Sequence, residues 1–106
     1  MYNANMVTTT SDVLDTINAN KSDFNKLGIV KIGLFGSFSR GEQNKESDVD
    51  LLVEFGKGRK NFRSYMNFIK LAESLLGREV EAVTSESLSP YIAPYIKKEL
   101  KYVKTA

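Results

Sequence analysis

Residues 33–55 read GLFGSFSRGEQNKESDVDLLVEF, and the rest of the predicted fold is built around this stretch. The apolar run Ile29–Phe35 enters it as a buried strand. Residues 48–55 form a second, clearer strand, in which only two aspartates and one glutamate are polar. Between the strands, Gly36 ends the first and Ser37 begins a predicted helix of one or two turns. A polar loop then leads into the second strand.

The flanking sequence predicts four more elements from apolar periodicity and from the positions of glycine and proline. They are a helix over residues 11–27, a helix over residues 61–76, a strand over residues 79–84 and a last helix from the Pro90–Pro94 region to about Lys101. Residues 1–10 carry no readable signal, so we predict a flexible N-terminus before a single domain at residues 11–106. The fold class is α/β (α+β), with a small mixed β-sheet flanked by helices.

Two aromatic patterns are interpreted as core-facing helix surfaces. The first is the helical stripe Phe62, Tyr65, Met66 and Ile69. The second is Tyr91, Tyr95 and Tyr102, whose rings we expect on the core with the neighbouring lysines in water. An RNA-facing aromatic and basic patch is the alternative for the second pattern. We favour the amphipathic helix and do not expect direct nucleic-acid binding.

Composition excludes several classes of chemistry. The chain has 106 residues, a net charge of +2, and neither cysteine nor histidine. Disulfides, thiolate or imidazole metal sites and Ser-His-Asp triads are therefore excluded. Catalysis must use carboxylates, hydroxyls, Lys, Arg, backbone amides or a hard metal held by oxygen. The near-neutral charge and the lack of a membrane span or signal-peptide pattern predict a cytoplasmic protein.

The strongest candidate for chemistry is the pair Asp48 and Asp50. Residues two apart in a strand point to the same side, so the two carboxylates repel each other at the start of an apolar strand. A magnesium ion would offset that cost, since it commonly uses one or two carboxylates together with substrate phosphates. Taken alone, such a pair is more often a solvated strand end than a metal site.

The segment upstream supplies the other half of a site. Gly36 lets a ligand approach the backbone, and the free amides at the start of the next helix, with the Ser37 hydroxyl, can bind phosphate. Arg40, one turn later, can pair with a phosphate oxygen. A tight turn with a serine cap is the alternative for Gly36 and Ser37 alone. A third carboxylate could come from Glu79 or Glu81, although either could simply face solvent.

Gly36-Ser37, ten residues and then Asp48-Val49-Asp50 resembles the signature of the DNA polymerase beta nucleotidyltransferase superfamily. Residues 33–55, together with LGREVEAVTSESLSP at residues 76–90, resemble its minimal MNT-type branch. The resemblance implies that Asp48 and Asp50 bind two magnesium ions and that ATP is the substrate. It places Glu81 third in the metal-binding and catalytic set, where the family more often has Asp. It also implies that Ser37 contacts the triphosphate, and that Gly36, Arg40 and Glu42 belong to the nucleotide-binding signature.

The resemblance also implies a partner. MNT-type proteins are typically antitoxins of helical HEPN ribonuclease toxins and transfer AMP from ATP to a tyrosine of that partner. Since the chain ends soon after the core sheet, the acceptor docks on an open cleft or a second polypeptide completes the site, so homo- and hetero-oligomers are both compatible with the sequence. Alternatives are an antitoxin that acts by binding alone, for which Glu81 is the support, and a small-molecule nucleotidyltransferase.

Overall fold

A computed structural model describes residues 6–105 and contains one mixed β-sheet with helices around it. The strands are β1 (Ile29–Phe35), β2 (Val49–Phe55), β3 (Val80–Thr84) and β4 (Lys101–Lys104). The helices are α1 (Thr10–Ala19), α2 (Lys21–Lys26), α3 (Ser37–Arg40), α4 (Phe62–Leu76) and α5 (Ala93–Glu99), with a single 3₁₀ turn at Ser85–Ser87. The predicted fold class and the first three strands are confirmed.

The sheet order is β3-β2-β1-β4, with β1 antiparallel to both of its neighbours and β2 parallel to β3. Along β2, Val49, Leu51 and Val53 are completely buried, as expected for the core-facing side of the strand. Since β1 ends where β2 and β3 begin, residues at these three ends meet at one edge of the sheet. The polar residues predicted to form a site all lie at or near that edge.

The chain before β1 differs from the prediction in two ways. The expected single helix divides at Asn20 into α1 and α2. The N-cap is Thr9, whose hydroxyl accepts from the Asp12 amide in a reciprocal capping box. Val7 is buried and its amide donates to the Leu76 carbonyl, within the stretch predicted to be flexible. Met1–Asn5 lie outside the described residues.

Helix α4 contacts the core through part of the predicted stripe, since Ile69 packs against the buried cluster. Asn61 caps it by accepting from the Ser64 amide, and its buried residues are Phe68, Ala72 and Leu76. Phe62 is 79% exposed, so its assignment to the core is wrong. The buried positions follow a spacing of four, and Phe62 falls off that line in the first turn.

The C-terminal segment needs the largest correction. The last helix ends at Glu99 instead of reaching Lys101, because Lys101–Lys104 pairs with the free edge of β1. Gly33 opposes Tyr102 there, and a β-carbon at Gly33 would lie 2.7 Å from the Leu100 side chain and 3.0 Å from the Tyr102 ring, so glycine leaves room for these two side chains. The predicted core-facing rings are also wrong, since Tyr91, Tyr95 and Tyr102 are 86%, 73% and 44% exposed.

None of the helices within residues 6–105 has both the length and the apolar character that a membrane crossing requires.

Candidate active site

Three acidic residues lie where β2 and β3 begin, and we call them the carboxylate rim: Asp48, Asp50 and Glu81. Asp50 is the register partner of Glu81 in the parallel pair and of Phe35 in the antiparallel pair. Asp48 lies immediately before β2. The sheet register thus brings Asp50 beside Glu81, while the set of three metal ligands stays a prediction.

The surroundings of Asp50 disfavour its charged form. Partial burial raises the pKa of the Asp50 carboxyl to about 6, and the neighbouring carboxylates of Glu81 and Asp48 add to this effect. The charge of Arg40 opposes it more weakly. Within residues 6–105, none of the three acids takes part in a salt bridge. The rim therefore favours a proton or a cation beside Asp50.

Gly36 brings the end of β1 against the rim. Its backbone dihedrals, φ 76° and ψ −158°, lie in a region that essentially only glycine adopts. A β-carbon at this position would lie 2.0 Å from Asp50 Oδ2. Only a residue without a side chain allows the Asp50 carboxylate to take this place.

Helix α3 follows at once and presents Ser37 beside the rim. Phe38 and Ser39 are buried, which fixes the helix on the domain, while Ser37 is half-buried and Gly41 ends the helix in the left-handed conformation. The first amides of a helix have no intrahelical acceptor, so those of Ser37 and Phe38 are suited to bind an anion.

Arg40 is held by two carboxylates, and we call this group the arginine cluster: Arg40, Glu42 and Glu99. Arg40 Nε donates to Glu42 Oε1 at 2.8 Å, and Nη1 donates to Glu99 Oε2 at 3.0 Å. The bond to Glu42 has the largest effect and the bond to Glu99 the next, and both raise the pKa of the Arg40 guanidinium above its usual value. In the structure Arg40 is thus already paired, and a phosphate that binds it must share it with these acids.

Arg78 anchors the loop that leads into the rim. It is 9% exposed, its Nε donates to the Val7 carbonyl, and its Nη1 donates to the carbonyls of Asn44, Lys45 and Ser47 at 2.9–3.2 Å. Its guanidinium also lies 5.0 Å from the centre of the Phe38 ring. One buried side chain therefore fixes both α3 and the residues directly before Asp48.

Comparisons with known proteins agree on the class of this site. Residues 15–103 match the family described as "Nucleotidyltransferase domain". The protein adenylyltransferase MntA of Thermococcus cleftensis is 36% identical over 99 residues, which cover 90% of this chain and 96% of that protein. The chain belongs to the nucleotidyltransferase family.

Solved structures place this nucleotidyltransferase in the minimal, MNT-type branch. A protein provisionally described as a minimal nucleotidyltransferase superposes with a TM-score of 0.76 and 30% identity, covering 89% of this chain and 95% of the other. A chain of a toxin–antitoxin complex with AMP-PNP superposes with a TM-score of 0.61 and 25% identity, covering 78% of this chain and 71% of the other.

The carboxylate rim of this nucleotidyltransferase could hold a divalent metal only with help from a ligand. Within residues 6–105, no three acidic side chains come close enough together to form a complete metal site. Magnesium is commonly bound by one or two carboxylates, with phosphates and water as the remaining ligands. Asp50, whose pKa is raised by burial and by the acidic neighbours Glu81 and Asp48, fits that arrangement.

Sequence reasoning missed two residues that hold this site, Glu99 and Arg78. Glu99 was placed inside a longer C-terminal helix, so its approach to Gly36 and Arg40 could not be foreseen. Arg78 was not singled out as a site residue. The only local signal was its position directly between the end of α4 and the start of β3, both of which are buried.

Proposed function

We propose that this nucleotidyltransferase transfers AMP from ATP to a protein hydroxyl, a tyrosine of a helical HEPN ribonuclease toxin, and so acts as the antitoxin. The observation that carries the proposal is the carboxylate rim packed directly on Gly36 of the Gly-Ser turn. Support for a protein acceptor comes from the relative named protein adenylyltransferase MntA, and support for an antitoxin comes from the similar chain in the toxin–antitoxin complex with AMP-PNP.

Asp48 and Asp50 would hold magnesium against the triphosphate. When bound, the metal neutralises phosphate charge and makes the α-phosphorus more open to attack. The Ser37 hydroxyl and the first amides of α3 bind the phosphates from the other side. Because Gly36 has no side chain, this turn can lie against Asp50 and leave room for the nucleotide.

Glu81 is the proposed acceptor of the proton that leaves the attacking hydroxyl. It is the register partner of Asp50 and so lies at the rim. The bond from that hydroxyl oxygen to the α-phosphorus forms while the bond to pyrophosphate breaks. Glutamate is one methylene longer than the aspartate more often found here, so Glu81→Asp tests whether this carboxylate sets the rate.

The experiment is label transfer with three proteins side by side. The assay contains magnesium, α-labelled ATP and the helical protein encoded beside this gene. It compares wild type with Asp48→Asn/Asp50→Asn and with Glu86→Gln, which removes an exposed carboxylate paired with Lys60. We expect label on the partner with wild type and Glu86→Gln, and none with the double variant. Tyrosine-to-phenylalanine variants of the partner then locate the acceptor. A partner that stays unlabelled with wild type contradicts the proposal.

An antitoxin that acts by binding alone is the second candidate. The observation in its favour is that the described residues form no complete metal site. In the same experiment it predicts a stable complex with the partner, no label, and equal inhibition of the toxin by wild type and by Asp48→Asn/Asp50→Asn.

A further inference from the structure

The carboxylate of Glu99 binds the Gly-Ser turn from the C-terminal segment. The Gly36 amide donates to Glu99 Oε1 at 2.9 Å, and Arg40 Nη1 donates to Glu99 Oε2 at 3.0 Å. The Glu99 backbone carbonyl also accepts a hydrogen bond from the Ser39 hydroxyl. Glu99, at the end of α5, therefore contacts Gly36, Ser39 and Arg40.

The sheet order makes this contact complementary to the rim. Strand β1 lies between β2 and β4. Asp50, on β2, packs on the Gly36 Cα, whereas Glu99, two residues before β4, accepts from the Gly36 amide. Gly36 is thus held between a carboxylate from one neighbouring strand and a carboxylate that enters from the other.

We propose that Glu99 is a positioning residue of the active site, which fixes the Gly36 turn and Arg40 for nucleotide binding without touching the nucleotide itself. The inference rests on nucleotidyl transfer at the carboxylate rim. Its physical basis is that a charged acceptor makes stronger hydrogen bonds than a neutral one and holds both donors in a single geometry. Displacement of Gly36 would also displace its contact with Asp50.

Glu99 differs from an ordinary surface ion pair in the same protein. Its side chain is 22% exposed, whereas that of Glu86, which pairs with Lys60 at 2.8 Å, is 65% exposed. Partial burial alone raises the pKa of the Glu99 carboxyl, but the Gly36 amide and Arg40 lower it more, so its pKa lies below the usual value. Glu86→Gln is therefore a matched control, because it removes one paired carboxylate away from the site.

The kinetic test compares Glu99→Ala, Glu99→Gln and Glu86→Gln with wild type. For Glu99→Ala we expect kcat of label transfer to fall about tenfold and KM for ATP to rise several-fold, since the loss of charge-assisted hydrogen bonds affects both binding and alignment. Glu99→Gln keeps an acceptor for the Gly36 amide but loses the charge that pairs with Arg40, so it should fall between Glu99→Ala and wild type. Glu86→Gln should match wild type.

A second measurement needs neither ATP nor an acceptor and so separates this inference from the proposed function. Amide hydrogen exchange at Gly36, followed by NMR, should accelerate about tenfold in Glu99→Ala and less in Glu99→Gln, with Glu86→Gln unchanged. A KM for ATP that falls in Glu99→Ala would mean that Glu99 competes with phosphate, and would overturn the proposal. Unchanged kinetics, or unchanged exchange at Gly36, would also overturn it.

Discussion

The carboxylate rim and the arginine cluster lie side by side at one edge of the sheet, yet their charges are arranged in opposite ways. In the rim, like charges face each other, and the pKa of Asp50 rises to about 6. In the arginine cluster, one guanidinium is paired with two carboxylates. The rim therefore favours a proton or a cation beside Asp50, whereas each acid of the arginine cluster already pairs with Arg40.

This difference separates residues expected to carry the chemistry from residues expected to hold its framework. A cluster in which acids pair with a cation stabilises a fixed geometry, so its loss should lower activity only partly. A cluster in which acids face each other costs stability until a ligand binds, so its loss should remove activity without loss of the fold.

The largest effect is expected from the rim. Asp50→Asn should lower label transfer by roughly 10²–10³-fold or more, because a preorganised charge at the reacting phosphate is lost. The same substitution should leave the free energy of unfolding unchanged or raised, since it removes like-charge repulsion. Parallel urea unfolding and transfer assays check both parts. Loss of activity together with loss of stability would contradict the separation drawn above.

The next effect concerns the framework. Arg78→Met should lower the free energy of unfolding by roughly 3 kcal/mol, because four backbone carbonyls lose a buried donor. The control is Arg59→Met, which removes an exposed arginine that makes one bond to the Lys26 carbonyl. Chemical denaturation measures both variants, and similar small losses would show that Arg78 is not an anchor.

The third prediction tests the contact between Gly36 and the rim. Gly36→Ala should cost roughly 1–3 kcal/mol of unfolding free energy, because alanine is strained at this backbone conformation and its β-carbon meets Asp50. It should also reduce transfer at least tenfold. Gly41→Ala is the control, since Gly41 has a similar φ of 71° but no atom within 4 Å of the added carbon. Equal activities of the two variants would contradict a role for the Gly36 contact.

The strands differ in how well the sequence alone predicts them. Strands β1 and β2 and the short helix that begins at Ser37 follow from local composition and spacing, and they were predicted correctly. Strand β4 was missed because Lys-Tyr-Val-Lys is an exposed edge strand, and it pairs with β1, about 70 residues earlier. The signals that end a helix are local, so they do not show that a distant strand has an unpaired edge.

The same limit applies to side chains. Phe62 has the right spacing for the α4 stripe, but the sheet fixes which line of that helix is buried, and Phe62 falls outside it. The roles of Arg78 and Glu99 depend on contacts that span 31–71 and 59–63 residues of chain. Charge and residue type were visible in the sequence, whereas these partners were not.

A smaller effect is expected from pH. The pKa of Asp50 in the folded protein, about 6, exceeds its usual value of 3.8, so the folded state binds more protons between these values. Stability of the metal-free protein should therefore decrease as pH rises from about 4 to 6, and this contribution should vanish in Asp50→Asn. Urea unfolding at several pH values tests the difference between the two proteins. A difference that does not change with pH would contradict the shift.

The smallest effect is expected at the exposed end of the arginine cluster. Glu42→Gln removes one carboxylate from Arg40, but both side chains are largely exposed and Glu99 remains. We expect no measurable change in the unfolding midpoint and less than a twofold change in transfer. A loss as large as that of Glu99→Ala would mean that Glu42 shares the positioning role.

The central claim is that the carboxylate rim binds a divalent cation together with a nucleotide. The most direct test is a titration with Mn²⁺, followed by electron paramagnetic resonance, in the presence of a non-hydrolysable ATP analogue. Wild type and Glu86→Gln should bind the ion, with affinity that rises when nucleotide is added, and Asp48→Asn/Asp50→Asn should not. Equal binding by wild type and the double variant would contradict the account, because the ion would then lie elsewhere.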